Sequence, residues 1–402
     1  MQYVKAHRPS LGFPSPAAIL LVALSLLTTA ARSADIAPYS ASAAPDWTAL
    51  FDRNEGWTGA DGVYAIPMSG NERPGSAARE TTLWWFSDTF VGSVRPDGSR
   101  LNTTLVNNTT AQLRGDKPDA AKMRFHVRED SAGQAEAMVL PKQGRNPGQW
   151  FWPTDGIATD GKVYMFGMRV QTADTPPFSF ATAGSSLLAA LATDPAPFLG
   201  RYAQRDAPLF VPASDTERET YFGLALMPLT STAGAPFPDG YLYIYGARNG
   251  TYVKSLVVAR VLPASIDDFG AYRFWNGAAW DADIHRAASL TSAVSAEFSV
   301  SPLADGRFLL VHMTDLLGST VAVRYGSSPV GPWGKDIPIW DCPEISLTPH
   351  IFVYGAKAHP HLSQQGQLLI SYHVNTFDFA ENFGPGGVDI YRPRFITVPL
   401  PQ

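Results

Sequence analysis

Two aspartates, Asp61 and Asp88, sit at the edges of two aromatic-rich runs, ADGVYAIP and LWWFSDTF, and a third, Asp155, lies in PTDGIATDG. Paired carboxyls are reagents for acid–base work. A protonated one gives its proton to a leaving oxygen, and an ionised one serves as base or nucleophile. If the two runs are neighbouring strands, about 4.8 Å apart, their carboxyl groups fall about 5–8 Å apart, a span that covers retaining and inverting glycoside hydrolysis. Charges that close repel, which raises one pKa and favours a shared proton. An Asp at a strand end also caps its own turn, so a structural role stays open for each.

The elements that must position these residues recur along the chain. A polar residue opens a short apolar strand, a turn follows, and a second aromatic-rich strand ends on a polar residue. The copies are DGVYAIPM with LWWFSDTF, TDGIATDGKVYMFGMR, YFGLALMPL with YLYIYGAR, EFSVSPLADGRFLLVHMTD and HPHLSQQGQLLISYHVN. Asp160-Gly161, Asp239-Gly240, Asp305-Gly306 and Gln365-Gly366 are the expected turns. LVNNTTAQL, SLLAALATD, SLVVARVL and TVAVRYG read as third strands, MRFHVRED as a fourth, and YRPRFITVPL as the strand completing a blade across the join. Strands grouped in fours and repeated radially predict an all-β, five-bladed β-propeller. A pair of β-sandwiches gives no reason for the repeated polar ends.

In such a blade the start of the first strand and the end of the second share a face. Those positions hold Asp61, Asp155, Glu217 and Glu219, Glu297, and His359 with His361, opposite Asp88, Arg169, Arg248, Asp315 and Asn375. Turn chemistry alone does not call for Arg, His and Glu here. Trp57, Trp150, Trp152 and Tyr221 stand just before first strands. Aromatic faces beside carboxylates suit a carbohydrate, whose C–H faces pack on rings while its hydroxyls bond the acids. Filling gaps between blades is the competing role for each Trp. Arg392 has two readings, substrate hydroxyl contact or blade-closing ion pair. His359 and His361 lack the further ligands that a catalytic metal site needs.

The net charge of −5 over 402 residues gives no footprint for nucleic acid or for a membrane surface. Residues 1–33 read as a signal peptide: Lys5, His7 and Arg8, an apolar run from Pro16 to Leu27, then small residues. An uncleaved anchor is the alternative. The expectation is a secreted or periplasmic monomer, with 34–46 a flexible tail and 47–402 one propeller. Cys342 is the sole cysteine, so no intrachain disulfide forms. The sequons at Asn102, Asn107, Asn108 and Asn249 matter only in a eukaryotic secretory route.

GWTGADGVYAIP, LWWFSDTF, WFWPTDG, SSPVGPWG and KAHPHLS…DIYRPRF together resemble a family of secreted bacterial proteins of formerly unknown function, related to endo-D-arabinanases and to the wider arabinanase and β-xylosidase type of propeller glycosidase. The resemblance runs from about Trp47 to the end. It implies hydrolysis of furanosidic linkages by axial-face carboxylates, with Asp61 and Asp88 as the pair and Asp155 as the second-blade carboxylate. The loop SGNERPGSAARETT is longer than the usual turn, and the third-blade acid has only Glu217 and Glu219 as approximate counterparts. No cofactor is required on this resemblance, and a weak axial Ca2+ or Na+ is compatible with it. Trp57, Trp152, Glu219, Arg248, Glu297, His359 and Arg392 are the expected substrate contacts. A catalytically silent propeller that binds an envelope glycan is the alternative, and a metal-dependent propeller hydrolase is more distant.

Overall fold

The computed structural model describes residues 40–142, 147–174, 179–251, 253–314 and 318–400. The expected signal peptide, the first part of the tail and Asp315 lie outside the described residues. None of the described helices is long and apolar enough to cross a membrane.

Five antiparallel blades account for most of the chain. The first comprises Tyr64–Pro67, Thr81–Phe86, Thr109–Arg114 and Met123–His126. The second comprises Trp150–Thr159, Lys162–Thr172, Phe180–Leu191 and Ala203–Ala207. Thr220–Leu229, Tyr241–Asn249, Lys254–Val261 and Arg273–Trp275 form the third, within a seven-stranded sheet. The fourth is Ser299–Pro302, Phe308–Met313, Thr320–Gly326 and Ile337–Asp341. Ile351–Ala358, Gln367–Thr376 and Pro393–Pro399 build the fifth, whose outer strand, Ser42–Ala43, comes from the start of the described chain.

The aromatic run LWWF shows why the blades stack. Alternate strand residues face opposite sides of a sheet, and a blade has a neighbour on both sides, so both sides are apolar. Leu83 and Trp85 enter the cluster shared with the second blade, whereas Trp84 and Phe86 enter the one shared with the fifth. Three further clusters join the second blade to the third, the third to the fourth and the fourth to the fifth. Five clusters for five seams close the ring.

Three sequence expectations change. Residues 40–46 are not a loose tail: Ser42 pairs with Thr397 and Ala43 with Ile396, and the helix Pro45–Ala49 follows directly, with Trp47 in the seam between the fifth and first blades. YRPRFITVPL does pair across the join, and its partner is this N-terminal strand. The first strand of the fifth blade is Ile351–Ala358, whereas HPHL is a 3-10 turn after it. Finally, the strand LWWFSDTF breaks at Ser87–Asp88 and continues as Thr89–Val94, which joins Glu55–Ala60 and Arg100–Val106 in a three-stranded extension of the first blade. The Asp160-Gly161 turn holds both residues at positive φ, 50° and 74°, as a tight hairpin requires.

Candidate active site

Asp61 and Asp88 face each other across the break between the first blade and its extension. The Asp61 N–H donates to the Asp88 carbonyl at 3.3 Å, and the Ser87 N–H donates to the Asp61 carbonyl at 2.9 Å. The glycine after Asp61 is dictated by this approach: Gly62 has φ of 59°, and a Cβ there would lie 2.3 Å from Ser87 Oγ. Asn107 interrupts the two outer strands at the same level. Its Nδ2 donates to Asp88 Oδ1 at 3.1 Å, and Trp152 Nε1 donates to the same oxygen at 2.9 Å. On the other side, the Tyr354 hydroxyl donates to Asp61 Oδ2 at 2.6 Å. Asp61 Oδ1 is buried, and the Tyr391 hydroxyl is a second donor to this carboxyl.

Bulges in the innermost strands aim the other polar groups. Register slips between Pro153 and Gly156, and again between Tyr354 and Lys357. The first slip turns Asp155 inward, where its Oδ1 accepts the Gly156 N–H at 2.8 Å and its Oδ2 accepts the Leu226 N–H of the third blade at 2.7 Å. Asp155 therefore ties two blades together at the axis. The second slip allows one strand to offer Tyr354 to Asp61 and Lys357 to Glu297, an ion pair whose lysine is 4% exposed. Tyr64 adds its hydroxyl to Glu297 Oε2 at 3.3 Å. A cavity of about 1180 Å3 continues along the axis, lined by Tyr64, Asp155, Leu226, Ser299 and Lys357, one residue from each innermost strand. Asp61 and Asp88 lie outside that lining, beside Tyr354 and Trp152.

Burial is the main reason that all three Asp carboxyls titrate high. For Asp61 the neighbouring Asp88 charge adds to it, with a smaller push from Glu297, while the Tyr354 hydrogen bond opposes them. For Asp88, burial is offset by the Trp152 and Asn107 donors. The pair takes up protons at about 7 and about 6. Asp155 reaches about 7, burial outweighing its two backbone donors. These groups bind more protons folded than unfolded between the ordinary carboxyl value of 3.8 and about 7. Stability therefore falls as pH rises through that window. Replacing Asp61 by Asn removes the penalty, so Asp61→Asn is expected to melt about 2 °C or more above the wild type at pH 8, with the difference shrinking toward pH 4. An equal or lower melting temperature at pH 8 would show that Asp61 is not held against its charge.

Several expected contacts lie elsewhere. Trp57 is 1% exposed, its ring 5.2 Å from Phe86 and 4.9 Å from Phe125, so it fills a seam and no sugar reaches it. Arg392 is buried, and its guanidinium holds the Thr58 and Arg53 carbonyls, Asn54 and Asp52; of its two readings, the closing contact is the one formed. His359 is buried at the far end of its strand against Trp84 and Ser371, because the first strand of the fifth blade starts earlier than the sequence suggested. His361, beside it, bonds Glu72 and Thr82. Arg248 bonds Thr220 and the Ala287 carbonyl, and Glu219 bonds Asn249; both brace the third blade. Trp152 and Glu297 do join the carboxyl group. The sequence reading missed Asn107, Tyr354, Lys357 and Tyr391, whose hydroxyl bonds the Asp61 carboxyl. The doubled asparagine inside an otherwise regular strand pattern was the available signal for the first.

The model of the family described as "Domain of unknown function (DUF5005)" matches residues 45–399. No curated protein matches the sequence significantly. A Bacteroides ovatus structure named a "putative hydrolase" aligns at a TM-score of 0.67 and 17% identity, over 90% of this chain and 93% of that one. That likeness is one of fold. A GH43_1 enzyme from Xanthomonas citri complexed with xylose aligns at 0.42 and 14%, over 89% and 94% of the chains. An α-L-arabinofuranosidase from Podospora anserina in complex with cellotriose aligns at 0.40 and 10%, over 86% and 98%.

Proposed function

The chain belongs to the DUF5005 family, and from that premise we propose that it is a secreted or periplasmic glycoside hydrolase that cleaves arabinofuranosidic linkages in D-arabinan or a related furanose glycan. The observation that carries the reading is the Asp61–Asp88 pair: two carboxyls facing each other at a strand break, both raised above the ordinary carboxylate range, with an indole beside them. Neither a turn cap nor a blade-closing contact needs that combination.

The two environments divide the work. Asp88 accepts two N–H donors, which favour its ionised form, so it is the base or nucleophile. Asp61 faces the Asp88 and Glu297 charges, which favour its protonated form, so it is the acid. In the reaction Asp61 gives its proton to the departing glycosidic oxygen as the C1–O bond breaks. Asp88 either bonds C1, to be displaced by water, or draws a proton from the water that attacks C1. Glu297, paired with Lys357, and Asp155, bonded across the blades, hold the axial floor against which the sugar ring rests. The reading requires no cofactor.

Incubation with D-arabinan, L-arabinan and xylan, followed by product chromatography, tests it. Shortened products from an arabinan and none from xylan are expected. Retention of a glycan on the protein with no cleavage of any would favour the silent, glycan-binding propeller, for which the aromatic surface around Trp150 and Trp152 speaks.

A further inference from the structure

The loop 377–391, between the last two long strands of the fifth blade, exposes three phenylalanines: Phe377 at 57%, Phe379 at 54% and Phe383 at 37%. Exposed rings in such number on one loop are unusual for a solvated surface. They connect to the carboxyl pair by two files of rings. In one, Phe377 lies 4.5 Å from Phe352 and Phe352 lies 5.4 Å from Tyr354, whose hydroxyl bonds Asp61. In the other, Phe379 and Phe383 lie 6.0 and 5.5 Å from Phe90, which lies 5.0 Å from Tyr391. Asp378 and Glu381 lie between the rings in sequence; Asp378 Oδ1 accepts the Ala380 N–H, and Glu381 is bonded to His350, Thr348 and Thr376.

The loop is also held in place. Buried Arg100, from the extension of the first blade, donates to the Asn382 carbonyl at 2.6 Å and to the Gly387 carbonyl at 2.9 Å. Its guanidinium lies 4.4 Å from the centre of the Phe90 ring. A surface fixed before binding loses little entropy when a ligand arrives. Exposed rings with the exposed Asp378 carboxylate between them match a sugar chain better than a lipid tail or an apolar protein face, neither of which has hydroxyls for a carboxylate to bond.

The geometry points to a second saccharide-binding surface on this loop, where Phe377, Phe379 and Phe383 hold outlying units of a glycan chain whose scissile bond lies at Asp61 and Asp88. The identity of the glycan rests on the hydrolase reading above; the surface itself does not. Trp152 stands at Asp88 on the opposite side of the pair, so a chain lying across the carboxyls meets aromatic surface in both directions. Such a site takes internal segments of a polymer in preference to chain ends.

Full-length Asp88→Asn protein, titrated calorimetrically with arabino-oligosaccharides of increasing length, tests the surface. Affinity is expected to rise with length, and Phe377→Ala with Phe379→Ala to remove that rise, weakening the longest ligand about tenfold. Phe377→Tyr, which keeps the ring, should restore it. Hydrolysis of the same oligosaccharides by the wild type is read separately. If the wild type cleaves them and the alanine variant binds the longest as tightly as its parent, the aromatic surface is overturned and the hydrolase stands. If the wild type cleaves none while length-dependent binding still requires the phenylalanines, the hydrolase is overturned and the surface stands. Absence of any binding overturns the surface.

Discussion

Asp88→Asn is expected to fold and bind substrate as the wild type does while turnover falls by about 10² to 10⁴, and further if Asp88 is the nucleophile. The amide keeps an oxygen for Trp152 and Asn107, so the local hydrogen bonds survive. It has no lone-pair base of useful strength and no negative charge to stabilise a developing cation at C1. Turnover on the arabinan that the wild type cleaves is the measurement, with melting temperature as the control for folding. More than about a tenth of wild-type turnover, well short of the ordinary contribution of a positioned acid or base, would return Asp88 to a structural role. The acid follows a different signature. Because the pair titrates at about 6 and about 7, wild-type activity should peak between those values. The rate falls on the alkaline side as the acid loses its proton and on the acidic side as the base gains one.

The second large effect is on stability. Phe51→Ala is expected to cost about 3–5 kcal/mol, the range for emptying a buried phenylalanine site. Phe51 is fully buried and stacks on Phe395 of the fifth blade at 5.3 Å, while its edges meet Trp84, Phe86 and Phe125 of the first. A residue sharing so many ring contacts has no neighbour able to collapse into the space it leaves. Chemical denaturation monitored by tryptophan fluorescence measures the loss. A cost below about 1 kcal/mol, the scale of an ordinary surface change, would mean that the seam between the fifth and first blades closes over the space Phe51 leaves.

Composition and periodicity carried the blades because each seam needs apolar residues on both sheet faces, and that requirement writes itself into runs such as LWWF and YLYIYG. The Asp160-Gly161 turn was equally readable, since few residue pairs accept two consecutive positive φ values. What escaped was whatever a bulge controls. Tyr354 and Lys357 are three positions apart and in an unbroken strand would face opposite sides; the slip around Gly355 brings both to the axial carboxylates. The same glycine interrupts IFVYGAKA, the true first strand of the fifth blade, whereas the sequence reading began that blade at HPHL, which carried His359 to the wrong end. Trp57 and Arg392 were misassigned for a different reason. Position at a strand start places a residue near the cleft, but only the packing of the next blade decides whether its side chain opens to solvent or is covered. Asp61, Asp88 and Trp152 were legible because their chemistry is costly to bury without purpose.

The join between the two ends of the described chain has a consequence for how the protein fails. Asp61 comes from the first blade and its phenolic partner Tyr354 from the fifth, and among the described residues the strand closing the fifth blade is the two-residue Ser42–Ala43. Every other blade is completed by a strand from its own part of the sequence. Heat or denaturant that detaches this short strand loosens the boundary on which the carboxyl pair depends, while four blades keep their internal pairing. Loss of the proposed activity should then run ahead of the loss of β-sheet signal, and the pair would act as a gauge of whether the circle is shut.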